Sequence, residues 1–131
     1  SNASTPGLPF MQKVYTKVYG KGQPNPGNRI NYDGTILVAL AMVAAHSTTP
    51  SAYVNYIKQV SGETGTMVTD YAGGVAALKA GKKIYYDGAL GVYDFNKYLW
   101  PSEPFVLWGL NAQGQVHPVL TLSASQVGSS Y

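Results

Sequence analysis

The sequence predicts an α/β fold of about four helices, a short strand and a C-terminal β-hairpin. Three observations predict it. Helical periodicity recurs in residues 10–19 and 49–60, and an apolar stretch, I-L-V-A-L-A-M-V-A-A, falls between them. A glycine-punctuated passage, L-K-A-G-K-K-I-Y-Y-D-G-A-L-G-V-Y-D-F, occupies residues 78–95. Near the end, F-V-L-W-G-L and V-H-P-V-L-T-L flank N-A-Q-G, the pattern of two strands and a hairpin turn.

The elements follow in order. Pro6, Gly7 and Pro9 oppose a helix, so the first one is expected from Phe10. Phe10, Val14 and Val18 then share a face, as do Met11 and Tyr15, with Lys13 and Lys17 on the wet side. Gly20 stops it, and K-G-Q-P-N-P-G-N-R-I reads as a loop. Asn31 is the expected N-cap of a second helix over residues 32–45, with Asp33 favourable in its first turn. That helix lacks a polar face along most of its length, which predicts burial on most sides. Thr49-Pro50 is a cap followed by proline at the first helical position, opening a third helix to Val60. Residues 63–68 read as a connector. Thr69 is the expected cap of a fourth helix ending at Gly81, and Gly73-Gly74 inside it marks a close backbone approach.

After the turn over residues 88–91, residues 92–95 are expected as a short strand and residues 96–104 as a loop. Residues 105–110 and 116–122 form the hairpin, with Pro118 placing the second strand at an edge. The polar tail from Ser123 is expected to fray. Ser1-Asn2-Ala3 is read as an expression-tag remnant, leaving residues 4–131 as one segment of a domain.

Composition narrows the function classes. Charged residues are only 11% of the 131 positions, against the usual quarter or so, and Tyr, Gly, Ser, Thr and Asn fill the difference. Such a surface is common among secreted bacterial proteins. The net charge is +3, with the cations spread along the chain. Only Lys79, Lys82 and Lys83 cluster, at an expected helix C-terminus, where they complement the dipole. No basic stripe suited to nucleic acid is visible. The absence of cysteine excludes disulfides and thiolate metal sites. The longest apolar run is too short to span a bilayer.

Chemistry-bearing motifs are sparse. His46 and His117 lack metal-ligand spacing, and His46 reads as a dipole partner at a helix end. Asp33 and Asp70 have first-turn explanations. Asp87 and Asp94 flank the glycine turn as turn formers, with a catalytic carboxylate pair the alternative. No nucleophile elbow, Walker loop or dinucleotide fingerprint is present. The residues indicate binding rather than catalysis, with no metal and no cofactor.

Four stretches together resemble a known family. F-M-Q-K-V-Y-T-K-V-Y-G is similar to an aromatic helix that ends in Tyr-Gly before a proline-rich loop. Y-D-G-T-I-L-V-A-L-A-M-V-A-A-H is similar to a Tyr-Asp-Ala helix. A-A-L-K-A-G-K-K-I-Y-Y-D-G-A-L-G-V-Y-D-F resembles a helix–Gly–Tyr-x-Gly-x-x-Gly–strand passage, and F-V-L-W-G-L-N-A-Q-G-Q-V a closing strand and hairpin. Their order resembles the C-terminal part of the type I periplasmic binding proteins, the extracellular ligand-binding receptors of branched-chain amino acid ABC transporters. The resemblance implies a two-lobed fold of which this chain is the last portion. It implies a solute-binding component of an ABC importer, for amino acids or related small polar solutes, located in the periplasm or outside the cell at the envelope. Its partners would be the solute and a membrane permease, and its mechanism lobe closure.

The alternatives are a sensor domain of the same fold and an oligomeric interaction module without a small ligand. A leader or anchor upstream of Ser4 would separate transport from sensing. With much of the family's sheet outside this chain, the apolar helix implies a homo-oligomer or swapped dimer. A family loop that reaches the ligand corresponds to about Gly27, so its neighbours Asn28, Arg29 and Asn31 are the candidate ligand-binding residues, the alternative being loop and cap roles. By the same resemblance, residues 78–95 set the route between lobes near a hinge and do not touch the ligand.

Overall fold

The computed structural model describes residues 4–95, 105–123 and 126. Among these residues there are four helices and two small sheets, so the mixed α/β class expected from the sequence holds. The chain divides into two compact units, Ser1–Asp94 and Phe95–Tyr131. The residues assigned to the expression tag, the loop expected at 96–104 and most of the polar tail lie outside the described residues.

The first unit opens with α1 (Leu8–Tyr19). It begins two residues earlier than expected because Pro9 sits within the first helical turn, where its missing N–H costs nothing. The expected apolar stripe is not its buried face. Phe10, Val14 and Val18 remain 43%, 49% and 65% exposed, and Met11 is the side chain that is buried.

The second helix differs more. α2 (Pro26–Ala45) starts at Pro26, six residues before the expected start. Asn25, not Asn31, is its N-cap. The Asn25 side chain accepts the Asn28 N–H at 2.8 Å, and the Asn28 side chain accepts the Asn25 N–H at 3.1 Å, a reciprocal capping box. Pro26 at the first position favours the same start. Asn31 therefore lies inside the helix, its carbonyl accepting the Thr35 hydroxyl at 2.8 Å. Leu37, Leu40 and Ala41 are buried, while the neighbouring apolar residues are half-buried.

α3 (Pro50–Ile57) starts where Thr49-Pro50 predicts and ends three residues short of Val60. Residues 63–68 are more than a connector, because β1 (Thr66–Val68) lies there. α4 (Tyr71–Lys79) follows, capped by Asp70 rather than Thr69, with the Asp70 carboxylate accepting the Gly73 N–H at 2.9 Å. β2 (Ile84–Tyr86) then pairs parallel with β1, Met67 opposite Tyr85. A strand, a crossover helix and a parallel strand form a βαβ unit. β2 is flanked on its other side by the segment after α3, where the Tyr86 N–H donates to the Val60 carbonyl at 2.9 Å.

α4 packs on both strands, and α2 packs on α4 and α3. The core sits between these layers and includes Leu40, Val60, Ile84 and Tyr86. Gly74 explains how α2 and α4 approach so closely. A Cβ at that position would collide with the Leu40 side chain, so the helix tolerates the lower propensity of glycine there. Residues 92–95 do not form the expected strand. An isolated bridge, Asp87 to Val92, closes the turn, and Phe95 is a further single bridge residue.

The described residues of the second unit include a hairpin. β3 (Phe105–Leu110) and β4 (Val116–Leu122) pair antiparallel, with Asn111 holding the turn by accepting the Gln113 and Gln115 N–H groups on its side chain at 3.0 and 2.9 Å. The register slips between Leu107 and Trp108, leaving Val119 as the extra residue of a bulge on β4.

Packing at the Leu40–Gly74 contact gives a direct test. Gly74→Val is expected to destabilise the fold by about 1–3 kcal/mol through overpacking, and Leu40→Ala by about 2–5 kcal/mol through a cavity. Combining both, the added methyls partly fill the space that Leu40 leaves, so urea melts of the double variant should show less than the sum of the two losses.

Candidate functional site

In open α/β sheets, ligands bind beyond the carboxyl ends of the strands. In the first unit that end is formed by Thr69 and Asp70 after β1 and by the turn over residues 87–91 after β2. One residue organises it. Asp33, on α2, is fully buried. Its Oδ1 accepts the Tyr86 hydroxyl at 2.8 Å and the Ala89 N–H at 2.8 Å. Its Oδ2 accepts the Leu90 N–H at 2.9 Å and the Tyr93 hydroxyl at 3.3 Å. Asp33 is therefore not the exposed first-turn dipole partner expected from sequence. With α2 beginning at Pro26, it falls in the third turn and points inward.

The turn itself is built to meet this carboxylate. Gly88 and Gly91 exchange both backbone hydrogen bonds, at 3.0 and 3.2 Å. A Cβ on Gly88 would strike the Asp33 carboxylate, so only glycine lets the helix side chain reach the turn amides. The chain's amino end fastens to the same turn: the Thr5 hydroxyl donates to the Ala89 carbonyl at 2.8 Å, and Gly7 lies against Gly88. These bonds consume both oxygens of Asp33, so it positions the turn and neither accepts a proton from a substrate nor holds a metal.

Electrostatics at this end follow from the crowding of carboxylates. Burial, and then the Asp33 charge and the hydrogen bond to it, push the Tyr86 phenol far above its usual range. Burial, Asp33 and Asp70 raise Tyr32 in the same direction. Burial first, then the charges of Asp33 and Glu63, raise Asp87. Asp87 is half-buried, and its carboxyl has no hydrogen-bond partner among the described residues. It is an acid at this end left available for other contacts. Asp70 caps α4, and Asp94 is exposed. No group of three or more His, Asp or Glu side chains among the described residues is placed to hold a metal ion.

The three candidate ligand-binding residues lie on the first turns of α2. Asn28 is engaged in the capping box, and the Arg29 Nε donates to the Pro24 carbonyl at 3.2 Å. Asn31 is exposed. At about 100° per residue, Asn31 and Asn28 sit well round the helix from Asp33, whereas Arg29 is one turn ahead of it on the same face. The fold thus brings Arg29 to the side of α2 that faces the turn and leaves the two asparagines off it.

A cavity of about 270 Å³ opens at the opposite end of the unit, lined by His46, Tyr56, Gln59, Lys79, Lys82 and Lys83 among others. α2 and α4 point their carboxyl ends there. The exposed helix carbonyls account for the lysines. His46 closes α2 in a left-handed conformation, its N–H bonding to the Met42 and Val43 carbonyls, so it serves there as the backbone cap. This end lies before the amino end of β2, away from where open sheets receive ligands.

The residues missed from sequence at the organised end are Tyr86 and Tyr93 as donors and Asp33 as their acceptor. The signal was present in Tyr86, Gly88 and Tyr93, spaced around one turn. It lacked only the partner, 53 residues earlier than Tyr86.

Asp33→Ala leaves two buried hydroxyls and two turn amides without their acceptor, and is expected to cost about 3–5 kcal/mol in denaturant melts. Tyr86→Phe should cost about 1.5–3 kcal/mol at neutral pH. Because the folded-state pKa of Tyr86 lies above the unfolded one, its contribution is complete below about pH 10 and falls as pH rises beyond. The alkaline limb of the wild-type stability curve should therefore be steeper than that of Tyr86→Phe. For Asp87 the raised pKa favours the protonated folded state, so its stabilisation is full below about pH 4 and lost as pH rises through the folded value. Asp87→Asn should raise Tm at pH 7, with the gain over wild type vanishing near about pH 3.

No family model matches this chain, and neither a curated protein nor a solved structure matches it.

Proposed function

We propose that the chain is part of an extracytoplasmic solute-binding component of an ABC importer, taking amino acids or related small polar solutes and performing no chemistry. One observation carries the reading. The turn clamped by Asp33 lies at the carboxyl end of a parallel strand pair, and within a few residues of it, after Asp94, the chain passes from one compact unit into another. The carboxyl edge of an open parallel sheet is where such a fold receives a ligand, and a receptor that closes on its solute needs a chain crossing near that edge in sequence. The order of sequence motifs supports the same reading through resemblance to the type I periplasmic binding proteins. Closure would be a population shift, with the solute binding the closed arrangement more tightly than the open one.

Within this reading Asp33, Tyr86 and Gly88 are structural, Asp87 and Arg29 lie at the ligand-receiving end of the first unit, and a membrane permease reads the closed form. Asn28 and Asn31 lie on the first turns of α2, away from its inner face.

A thermal-shift panel of amino acids, amides and short peptides, run on the full-length polypeptide, tests the reading. A cognate solute at 100 times its Kd should add about 2.7 kcal/mol of stability. Flat melting curves across the panel would sink the proposal.

A further inference from the structure

Among the described residues the hairpin is a two-stranded ribbon with no third strand. A two-stranded ribbon is marginal in water, and three or more strands with an apolar face are the usual minimum. Seven of its large apolar side chains stay 49–70% exposed: Phe105, Leu107, Trp108, Leu110, Val116, Val119 and Leu120. By strand alternation these fall on both faces, with Phe105, Leu107 and Leu120 on one and Trp108, Leu110 and Val116 on the other.

Its two edges are not equivalent. β4 is blunted twice, by Pro118, which has no N–H to offer a neighbour, and by the bulge at Val119. β3, F-V-L-W-G-L, carries no proline, no charge and no bulged residue. Natural sheets protect their edges with those devices, and an edge without them is a template for strand addition.

Charge and symmetry select what pairs there. None of the chain's nine cations and six acids lies in β3 or β4, so two copies meet at this strand without like-charge repulsion despite a net charge of +3. In a twofold arrangement the strand meets itself reversed. Residues directly opposite must point to the same face, so the axis runs through a residue and not between two. With the axis at Leu107, Phe105 faces Gly109, Val106 faces Trp108 and Leu107 faces itself. With the axis at Trp108, Val106 faces Leu110, Leu107 faces Gly109 and Trp108 faces itself. Either register pairs apolar with apolar throughout, including the aromatic and β-branched combinations that favour sheets.

We propose that β3 is a self-association edge: it pairs antiparallel with β3 of a second copy of this chain, converting two hairpins into one four-stranded sheet with the order β4-β3-β3-β4. The pairing stands apart from solute binding and does not depend on it.

The absence of cysteine makes the test clean, because each introduced thiol is unique. Sedimentation equilibrium of the 131-residue chain should show a dimer at micromolar concentrations. Oxidised Leu107→Cys or Trp108→Cys, whichever lies on the axis, should give a disulfide-linked dimer, since a self-paired residue brings the two Cα atoms within bonding reach. Thr121→Cys and Val119→Cys on β4 should remain uncrosslinked. Leu107→Lys should weaken the dimer at least about tenfold by placing two cations side by side. A wild-type chain that sediments as a monomer throughout overturns the proposal. So does a dimer that crosslinks through β4, or through neither β3 position.

Discussion

The first unit depends on a single carboxylate. Asp33 leaves the middle of α2 and gathers a strand-end hydroxyl, two amides of a tight turn and a second tyrosine hydroxyl, from positions 53 to 60 residues away. Burying a carboxylate without partners costs several kcal/mol, and hydrogen bonds to a charged acceptor return about 1.5–3 kcal/mol each. The net effect is favourable only while all the donors stay in place, so the clamp acts as a unit. α1 joins it indirectly, through Thr5 and Gly7 against the same turn. Helix, strand, turn and amino end therefore meet at one point, and each holds the geometry that the others need.

This arrangement explains where the sequence was readable and where it misled. Capping and turn chemistry are local, and they read well: Thr49-Pro50 opens α3, Gly81 follows the end of α4, and N-A-Q-G closes the hairpin. Errors arose where two local signals competed. Asn31-Tyr-Asp looked like a helix start, but Asn25-Pro-Gly-Asn supplies a complete reciprocal capping box, and a box satisfies two amides where a single cap satisfies one. Moving the start by six residues turned Asp33 from a surface dipole partner into the buried acceptor. β1 and β2 were hidden for another reason. Strands of three residues are too short to show a period, and their pairing depends on α4 spanning between them.

The apolar run in α2 predicts burial on most sides, and the structure divides that expectation. Leu37, Leu40 and Ala41 are buried where α2 packs on α3 and α4, while their neighbours are only half-buried. The hydrophobic pattern reports the demand for cover more faithfully than it reports the cover that one chain provides. Residues Phe10, Val14 and Val18 on α1, and both faces of the hairpin, make the same point.

The route of the chain acquires a physical limit from the clamp. Asp33 holds residues 86, 89, 90 and 93, and the first unit ends at Asp94. A turn pinned by four donors cannot flex without breaking several charge-assisted bonds together. Any rearrangement that a receptor mechanism asks of the passage must then be absorbed after Tyr93. The glycines of the turn, which as sequence look like flexibility, serve the opposite end: Gly88 is there because its missing side chain lets the carboxylate approach, and that approach makes the turn rigid. A larger residue at 88 would loosen the anchor rather than stiffen it, and the passage would lose its fixed starting point.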